Sequence, residues 1–543
     1  MNLSRRAFAS GWAPALLRAQ PRKPPVDVLR PPDYVAAYTP QLVIPQAGGD
    51  VRVRVEPSGK IVIEAPQTEL WRVHLRWKGK LPDGWRYLGD AWERSYGELE
   101  WRGSAPNRVM PWYFLVSNGS TSYGYGVKVQ PAAFCYWLAD PEGISLWLDL
   151  RCGGSGLLLG ERRLEAATIV SVEGGSPFST AGELCHRLCE RPRLPAHPVY
   201  GWNNWYYTYG KGFAAADIEH ESQLVSSLSP SGANRPYFVI DMGWEAQPEG
   251  AGPWMGGGAG FPDMAGLAAK MRTAGVRPAL WVRPLYTREK APSAWLLPPN
   301  RLNRPLKEGF HVLDPSVPEA LEHIRQNVRR IRDWGYDLIK HDFTTFELFG
   351  RWGFEMGVAL TNSGWHFAAR SKTTAEVVLD LYRAIREAAG DALLIGCNTI
   401  GHLGAGSFEL QRIGDDNSGR DWHRTRRMGV NTLAFRMPQH GTFFAADADC
   451  APITSQVPWG LSKRWLDLLA RSGTPLFVSA DPKAIPADQR AAIKEALAAA
   501  SRVQSRAEPL DWMESLTPRR WRVGGRAVDY NWFSEDGVSP FST

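Results

Sequence analysis

Lys340 and Asp342 have the types and spacing of residues that do chemistry at the end of a strand. They close the mostly apolar run Tyr336–Phe343. Because side chains alternate along a strand, Lys340 and Asp342 share one face and His341 takes the other. Such a pair is either a buried ion pair that only closes the strand or a lysine beside a catalytic carboxylate.

A second strand of the same kind favours the catalytic interpretation. In the run Arg412–Asp416, alternation puts Arg412 and Asp416 on one face and Asp415 on the other. Glycoside hydrolysis needs one carboxylate that attacks or stabilises the anomeric carbon and a second that protonates the leaving oxygen. We therefore assign catalysis to Asp416, and to Asp415 hydrogen bonding within the loop.

Other predicted strand ends carry side chains that suit a sugar-binding pocket. Aromatic faces pack against the apolar faces of sugar rings, although tryptophan is also an ordinary core residue. Because the C-terminal ends of parallel strands meet at one end of a barrel, these side chains should lie close together. The candidates are Trp202, Asp241, Trp244, Trp281, Cys397, Asn398, Asp447 and Asp449.

Alternating strand and helix patterns over residues 199–500 indicate a (β/α)8 TIM barrel. The helix before the fourth strand is expected to begin with a capping box of Ser316 and Glu319. The eight strand-like runs are Val199–Trp205, Tyr237–Asp241, Arg277–Arg283, Asp337–Asp342, Ala392–Asn398, Leu410–Gly414, Thr442–Ala446 and Pro475–Ser479.

The chain on either side of this region has β patterns. Short alternating segments separated by Gly, Pro, Asn and Ser predict an N-terminal β-sandwich domain over residues 26–190. The proline-rich run Arg191–Pro198 is the expected linker, and residues 501–543 are expected to form a short C-terminal antiparallel β region.

Composition narrows the possible partners. The formal charge is +7 without a clustered basic stripe, which argues against nucleic acid. Six scattered cysteines show no zinc or iron–sulfur spacing. Twenty-four tryptophans agree with an oligosaccharide or glycoside as substrate. The oligomeric state stays open.

Taken together, six stretches resemble glycoside hydrolase family 36, the α-galactosidase and melibiase type, and its relative family 27. The resemblance spans the whole predicted barrel, and the order and spacing of the stretches fit. They are Tyr200–Trp205, Val239–Trp244, Phe261–Met264, Leu338–Asp342, Leu394–Cys397 and Arg412–Asp416.

The resemblance implies a retaining hydrolase that acts by double displacement on α-galactoside-like substrates. It makes Asp342 the nucleophile and Asp416 the acid/base, with Lys340 bound to a sugar hydroxyl. It also implies a β-sandwich before the barrel and a small β-domain after it, and it implies no metal and no organic cofactor. The expected substrate-binding set is Trp202, Asp241, Met242, Trp244, Trp281, Lys340, Cys397, Asn398 and Arg412.

The sequence departs from the family pattern at two places near the expected sugar. Two adjacent acidic residues usually hold galactose hydroxyls after the second strand, whereas this chain has Asp241 and Met242. Cys397 and Asn398 stand where a glycine-rich turn is usual. The glycone could therefore be galactose, β-L-arabinopyranose or a 6-deoxy sugar.

Three alternatives remain beside hydrolysis. A metal-dependent barrel of the enolase type would need acidic ligands on three successive strands, and the fifth strand ends in Cys397 and Asn398. A non-catalytic carbohydrate-binding protein could keep the tryptophans but would not need Lys340, Asp342 and two further charged strand ends. A transglycosylase would share the mechanism and differ only in the acceptor.

The N-terminus has the pattern of a removable export signal. Arg5 and Arg6 form a twin-arginine pair, and the weakly apolar run that follows, to Leu17, is too short to span a bilayer. Ala19 offers a cleavage point. We expect residues 1–25 to direct export across a bacterial inner membrane to the periplasm or beyond; the alternative is a disordered basic terminus.

A fusion of residues 1–25 to a folded reporter is expected to cross the inner membrane. Changing Arg5 and Arg6 to lysine should block export, because the signal is read as an arginine pair and not as charge alone. Reporter activity in the periplasmic fraction is the measurement. Unchanged export of the double variant would show that the pair is incidental.

Overall fold

The computed structural model describes residues 24–533, so the twin-arginine pair lies outside the described residues. The first part of this range is β-rich, as expected. Its strands are β1 (Tyr34–Tyr38), β2 (Val43–Pro45), β3 (Arg52–Val55), β4 (Lys60–Ala65), β5 (Arg72–Lys78), β6 (Arg86–Gly89), β7 (Met110–Pro111), β8 (Tyr113–Ser117), β9 (Ser122–Val127), β10 (Phe134–Asp140), β11 (Gly143–Asp149) and β12 (Gly160–Gly174).

These strands form two antiparallel six-stranded sheets, ordered β2-β1-β5-β11-β10-β7 and β3-β4-β12-β9-β8-β6. Strand β5 alternates between buried and half-exposed residues, as expected where one face meets solvent. Strands β8 and β9 are buried on both faces, and helix α1 (Pro177–Leu188) packs against β9 and β12. Buried residues of both sheets belong to one hydrophobic core.

The second part is a TIM-barrel-like domain. Its strands are β13 (Tyr200–Asn203), β14 (Tyr237–Ile240), β15 (Arg277–Val282), β16 (Tyr286–Thr287), β17 (His311–Val312), β18 (Leu338–His341), β19 (Leu393–Gly396), β20 (Leu410–Arg412), β21 (Ala445–Asp447), β22 (Ala451–Ile453) and β23 (Leu476–Ala480). The main sheet has the order β21-β20-β19-β18-β15-β14-β13-β23-β22, and all its pairs are parallel. A two-stranded antiparallel pair, β16 and β17, lies outside it.

Helices follow or precede these strands and cover the sheet. A π-helical stretch, Arg426–Asn431, joins two of these helices. The helices are α2 (Trp205–Thr208), α3 (Ala215–Leu228), α4 (Met264–Ala274), α5 (Pro318–Asp333), α6 (Thr344–Phe349), α7 (Thr374–Ala389), α8 (Gly401–Gly404), α9 (Trp422–Thr425), α10 (Thr432–Arg436), α11 (Trp459–Arg471) and α12 (Ala487–Ala500).

The seventh predicted strand differs from the expectation. It consists of two short pieces, β21 and β22, and each pairs with a different neighbour. Asp449, in the break between them, has a left-handed backbone with φ of 71°, which a continuous strand does not allow. Since β21 and β22 are the two edges of the sheet and only residues 448–450 separate them, the edges come together.

The predicted capping box at the start of α5 is wrong. The helix begins at Pro318, and its N-cap is Val317, which makes no side-chain hydrogen bond. The hydroxyl of Ser316 instead accepts a hydrogen bond from the backbone of Ala369. Proline at the first turn starts the helix without a cap, because it has no N–H to satisfy.

Three short strands form a C-terminal antiparallel sheet, as expected. They are β24 (Glu508–Pro509), β25 (Arg520–Val523) and β26 (Arg526–Asp529). All six cysteines are buried and free. Within residues 24–533, no helix is both long and apolar enough to cross a membrane, and no group of three or more His, Cys, Asp or Glu side chains is arranged to hold a metal ion.

Alternation along the barrel strands decides which side chains reach the lumen. Val239, Leu338 and Leu410 belong to a small core inside the barrel, whereas Ile240 and Ile339 belong to the large core between strands and helices. Counting in steps of two from the inner residues reaches the following side chains at the C-terminal end of the lumen: Asn203, Asp241, Trp281, Lys340, Asp342, Cys397, Arg412 and Asp447.

Candidate active site

The Asp342 carboxylate is held firmly at the end of β18. One oxygen, Oδ2, accepts a hydrogen bond from Trp281 Nε1 at 2.9 Å. The other, Oδ1, accepts from the backbone N–H groups of Phe343 at 2.7 Å and Asn398 at 3.1 Å. Asp342 is only 8% exposed. Three donors on a buried carboxylate fix both its charge and its direction.

The turn after Asp342 has a strained backbone at Phe343, and the Arg283 side chain packs against the Phe343 ring. Phe343 has φ of 62°, in the left-handed region that bulky residues avoid. The Arg283 guanidinium lies 4.2 Å from the centre of the Phe343 ring and forms an ion pair with Glu347. Burial raises the pKa of Glu347 to about 7 although Arg283 opposes this shift. Strain of this kind persists only where the surroundings enforce it.

Lys340 contacts the end of the neighbouring second strand. Its Nζ lies 2.7 Å from Asp241 Oδ2, which also accepts from Asn203 Nδ2 at 2.9 Å. Both residues of the ion pair are buried. Burial disfavours the ammonium, but the negative groups around it, Asp241 foremost and Asp342 among them, together raise the pKa of Lys340 well above the ordinary value. A charged lysine therefore faces the lumen.

Arg412 holds the second candidate catalytic carboxylate. Its Nη2 lies 2.9 Å from Asp416 Oδ1 and 2.9 Å from Asp449 Oδ2, and its Nη1 lies 3.7 Å from the Cys397 sulfur. Tyr206 donates its hydroxyl proton to Asp449. The Asp416 side chain is 39% exposed, and its Oδ2 makes no hydrogen bond within the described residues. One Asp416 oxygen is therefore anchored and the other is free.

The Asp415 carboxylate pairs with Arg424 and shares Arg94 with Asp416. Its ion pair with Arg94 measures 2.7 Å, and the backbone N–H of Asp415 donates to the carbonyl of Ser95. The side chain is 14% exposed. Asp415 is thus tied into the loop, which is the role that the sequence assigned to it.

Surrounding cations lower the pKa of both candidate catalytic carboxyl groups. Burial opposes ionisation of Asp342, but Lys340 and Arg94 hold the pKa of Asp342 below its ordinary value. Burial also opposes ionisation of Asp416, yet Arg412, Arg94 and Lys340 together lower the pKa of Asp416 to about 2. The negative charge of Asp416 acts against the cations and favours a higher pKa of Asp342.

The β-rich domain supplies two residues that the sequence interpretation missed, Glu93 and Arg94. Glu93 is buried and accepts hydrogen bonds from Asn398 Nδ2 at 2.5 Å and from the backbone N–H of Gly353 at 2.9 Å. Arg94 Nη1 lies 3.6 Å from Asp416 Oδ1. Residue Ser95 pairs in parallel with Gly414, which brings this segment beside the end of β20.

The sequence around Glu93 and Arg94 contains a local indication that both side chains are buried. Trp92–Tyr96 places two adjacent charges among aromatic residues, and both charged side chains are buried. Adjacent charges of opposite sign in an apolar run indicate burial with partners. The partners lie more than 250 residues away, so periodicity could not identify them.

Two expected sugar-binding tryptophans lie elsewhere, which corrects the prediction. Trp202 is on the outward face of β13, fully buried, with its Nε1 donating to the Tyr207 hydroxyl at 3.3 Å. Trp244 is also fully buried, donates to the carbonyl of Trp281, and packs edge-on against Trp334. Neither side chain offers a face to a sugar. Alternation along β13 directs Trp202 into the core, and packing of the loop after β14 does the same for Trp244.

The remaining expected residues lie at or beside the lumen. Cys397 is buried, and burial raises the pKa of its thiol well above the ordinary value, so it is uncharged. Met242 is half-buried, and its methyl group lies beside Gly210. Asp447 faces Arg412 across β20 and β21, and burial raises the pKa of Asp447 to about 6.

Comparison with known proteins finds similar structures but no matching sequence family or curated sequence. No protein-family model matches the chain, and no curated protein sequence matches it. An α-galactosidase from Thermus thermophilus in complex with p-nitrophenyl α-D-galactopyranoside superposes with a TM-score of 0.58 at 18% identity, over 89% of this chain and 99% of that chain.

Two further α-galactosidases give similar values. A family 36 enzyme from Geobacillus stearothermophilus has a TM-score of 0.54 at 16% identity, over 82% of this chain and 66% of its own. One from Lactobacillus brevis has a TM-score of 0.55 at 12% identity, over 82% and 64%. At this identity the likeness concerns the fold: this chain has a fold like that of the glycoside hydrolase family 36 α-galactosidases.

Proposed function

We propose that this protein is a retaining glycoside hydrolase of the α-galactosidase type, with Asp342 as nucleophile and Asp416 as acid/base. The observation that carries the proposal is that two carboxylates at the same end of the barrel differ in burial and in hydrogen bonding. Asp342 is buried and fixed by three donors, whereas Asp416 has one anchored and one free oxygen. The fold likeness to α-galactosidases adds support.

The reaction would proceed in two displacements. Asp342 attacks the anomeric carbon while Asp416 gives its proton to the glycosidic oxygen, so the aglycone leaves and a glycosyl ester forms. Asp416, now ionised, takes a proton from water, and that water breaks the ester bond at the anomeric carbon. The sugar leaves with its original configuration, and both carboxyl groups return to their starting states.

The low pKa of Asp416 sets a condition on the first step, because an acid must carry a proton. The Asp416 side chain is 39% exposed, and Arg412 is the strongest of the cations that favour its carboxylate. A bound glycoside would cover the exposed part of this side chain, and desolvation raises the pKa of a carboxyl group. We therefore propose that substrate binding itself prepares Asp416 as the acid.

We also propose that the protein acts outside the cytoplasm, on an oligosaccharide or glycoside. The Arg5–Arg6 signature supports the location. Stachyose is bound by an α-galactosidase from Thermus thermophilus with a TM-score of 0.57 and 19% identity, which supports the substrate class.

Asp416→Asn is expected to lower kcat/KM for glycosides with poor leaving groups by about 10²- to 10⁴-fold, because the glycosidic oxygen of these substrates must be protonated as it leaves. Nitrophenyl glycosides should lose much less, since nitrophenolate leaves without one. Steady-state kinetics on both substrate types measure the difference. Asp415→Asn is the matched control; if it showed the selective loss instead, the assignment to Asp416 would be wrong.

Arg94→Met is expected to shift the whole pH profile of kcat/KM upward, by about one pH unit. Loss of this cation raises the pKa of Asp342, which must be ionised, and of Asp416, which must be protonated. Both limbs therefore move to higher pH. Arg94→Lys should restore the position. A variant with lower activity but an unmoved profile would give Arg94 a purely structural role.

Met242 bears on the choice of glycone. A thioether accepts hydrogen bonds only weakly, so a C6 hydroxyl buried against it would lose a partner, at a cost of about 1–3 kcal/mol. We expect p-nitrophenyl β-L-arabinopyranoside, which lacks the CH₂OH group, to be hydrolysed at least as efficiently as the α-D-galactopyranoside. Met242→Asp should shift the ratio of the two kcat/KM values toward galactose.

Met255→Asp is the control for this exchange, because Met255 is 68% exposed. It should leave the ratio unchanged. A strong native preference for the galactoside that Met242→Asp does not move would show that Met242 does not contact C6.

A further inference from the structure

Glu93 is a buried side chain that reaches from the β-rich domain into the barrel. It belongs to the segment after β6 and is 1% exposed. Its Oε2 accepts a hydrogen bond from Asn398 Nδ2 at 2.5 Å, and its Oε1 accepts one from the backbone N–H of Gly353 at 2.9 Å. The Tyr96 hydroxyl also donates to Oε1. Both oxygens of Glu93 therefore act as acceptors, and two of the three donors belong to the barrel.

Asn398 connects Glu93 to the candidate nucleophile. Its backbone N–H donates to Asp342 Oδ1 at 3.1 Å. Both ends of its side-chain amide are held by the protein, because Nδ2 donates to Glu93 and Oδ1 accepts from the backbone N–H of Phe346 at 3.1 Å. Asn398 is fully buried. The side-chain contacts thus fix the place of the backbone N–H that faces Asp342.

The second backbone donor to Asp342 Oδ1 depends on the same residue. This donor is the N–H of Phe343, which lies directly before helix α6. The carbonyl of Asn398 accepts hydrogen bonds from the backbone N–H and the hydroxyl of Thr345, at 3.1 and 3.2 Å, and so holds the first turn of α6. Both backbone donors to Oδ1 are therefore supported by Asn398, one directly and one through α6.

The loop after α6 fits closely around Glu93. A Cβ atom added at Gly353 would lie 2.3 Å from Glu93 Cγ, a separation at which the two atoms overlap. Glycine at this position lets the loop backbone approach until its N–H reaches the carboxyl group. Because Glu93 is enclosed in this way, a shorter side chain or one with a different orientation could not keep all three hydrogen bonds.

We propose that Glu93 is a positioning residue for the nucleophile and that it acts on Asp342 through Asn398. The inference rests on the proposed function, because it concerns the group that attacks the anomeric carbon. Attack needs one direction of the carboxylate, and a displacement of about 1 Å lowers a rate by roughly 10²-fold. The β-rich domain is accordingly part of the catalytic unit, although Glu93 itself does not contact the reacting atoms.

Glu93→Gln tests this role, because glutamine keeps the length but replaces one acceptor oxygen with an NH₂ donor that opposes a donor of the site. The substrate is p-nitrophenyl α-D-galactopyranoside or β-L-arabinopyranoside, whichever the native protein hydrolyses faster. We expect kcat/KM to fall by about 10- to 100-fold. The inhibition constant of the released monosaccharide should stay the same, because the groups that bind the glycone are not changed.

Asp90→Asn is the matched control for burial and for contact between the domains. Asp90 belongs to the same segment, its side chain is 6% exposed, and it accepts hydrogen bonds from Arg436 and Gln439 of the barrel at 2.8 and 2.9 Å. Neither of these partners is bonded to Asp342 within residues 24–533. Asp90→Asn should therefore leave kcat/KM unchanged. Full activity of Glu93→Gln would contradict the proposal and leave the hydrolase assignment intact.

A double-variant cycle tests whether Glu93 acts through Asn398. Asn398→Ala removes the amide that Glu93 holds, so adding Glu93→Gln to it should lower kcat/KM little further, whereas two independent structural roles give losses that add. Additive losses would contradict the proposal. If Glu93→Gln does not fold, Asn398→Ala alone should show the fall in kcat/KM with the inhibition constant unaltered; unchanged kcat/KM of that variant would overturn the proposed link.

Amide hydrogen exchange separates this proposal from the proposed function. If the native protein hydrolyses neither nitrophenyl glycoside, the hydrolase assignment fails, and the link is then measured on the peptide that contains Asn398. Glu93→Gln should speed exchange in this peptide, because the N–H bonded to Asp342 is released, and Asp90→Asn should not. That result would still support the positioning of the Asp342 carboxylate. Equal exchange in Glu93→Gln and the native protein would contradict it.

Discussion

The site depends on a buried network of cations and carboxylates at the C-terminal end of the barrel lumen. Lys340, Arg412 and Arg94 are each buried and each lie within 4 Å of at least one carboxylate oxygen. Removing a charge from water costs several kcal/mol, which only close partners and hydrogen bonds offset. Loss of Lys340 would leave the buried Asp241 carboxylate without a cation among the described residues, whereas Asp415 and Asp416 each contact two arginines.

This network reaches the two catalytic candidates at different depths. Lys340 and Arg94 stabilise ionised Asp342, and Trp281 donates a hydrogen bond to one of its oxygens. The Asp416 side chain is 39% exposed, and Arg412 holds one of its oxygens. The proposed double displacement would need an ionised nucleophile and a protonated acid. The β-rich domain takes part, because Arg94 contacts the loop after β20.

Strand alternation made much of the site predictable from sequence. Steps of two put Lys340 with Asp342, and the structure has both on the inner face. Strand β20 ends at Arg412, and Asp416 in the following loop is paired with Arg412 through an ion pair. The same rule, applied to Trp202, excludes it from the lumen, since its neighbour Asn203 faces inward. The prediction that Trp202 binds the sugar was wrong, because alternation places its side chain in the core.

What sequence could not supply are contacts that depend on the arrangement of distant segments. Glu93 and Arg94 reach the site because the run after β6 lies beside the end of β20, and no periodicity encodes that docking. The break in the seventh strand at Asp449 is likewise a local backbone choice that a tertiary ion pair with Arg412 supports. Sequence patterns predict helices, strands and their buried faces, whereas contacts between distant segments follow only from the tertiary structure.

The most direct test of the central claim is to trap the sugar on the protein. Asp416→Ala, given a dinitrophenyl glycoside that needs no acid, should form the glycosyl ester quickly and hydrolyse it slowly. Acid quenching, peptic digestion and mass spectrometry then locate the added sugar. We predict a single glycosylated peptide with the ester on Asp342. A sugar on any other residue, or turnover with no trapped ester and an unaffected Asp342→Ala variant, would contradict the account.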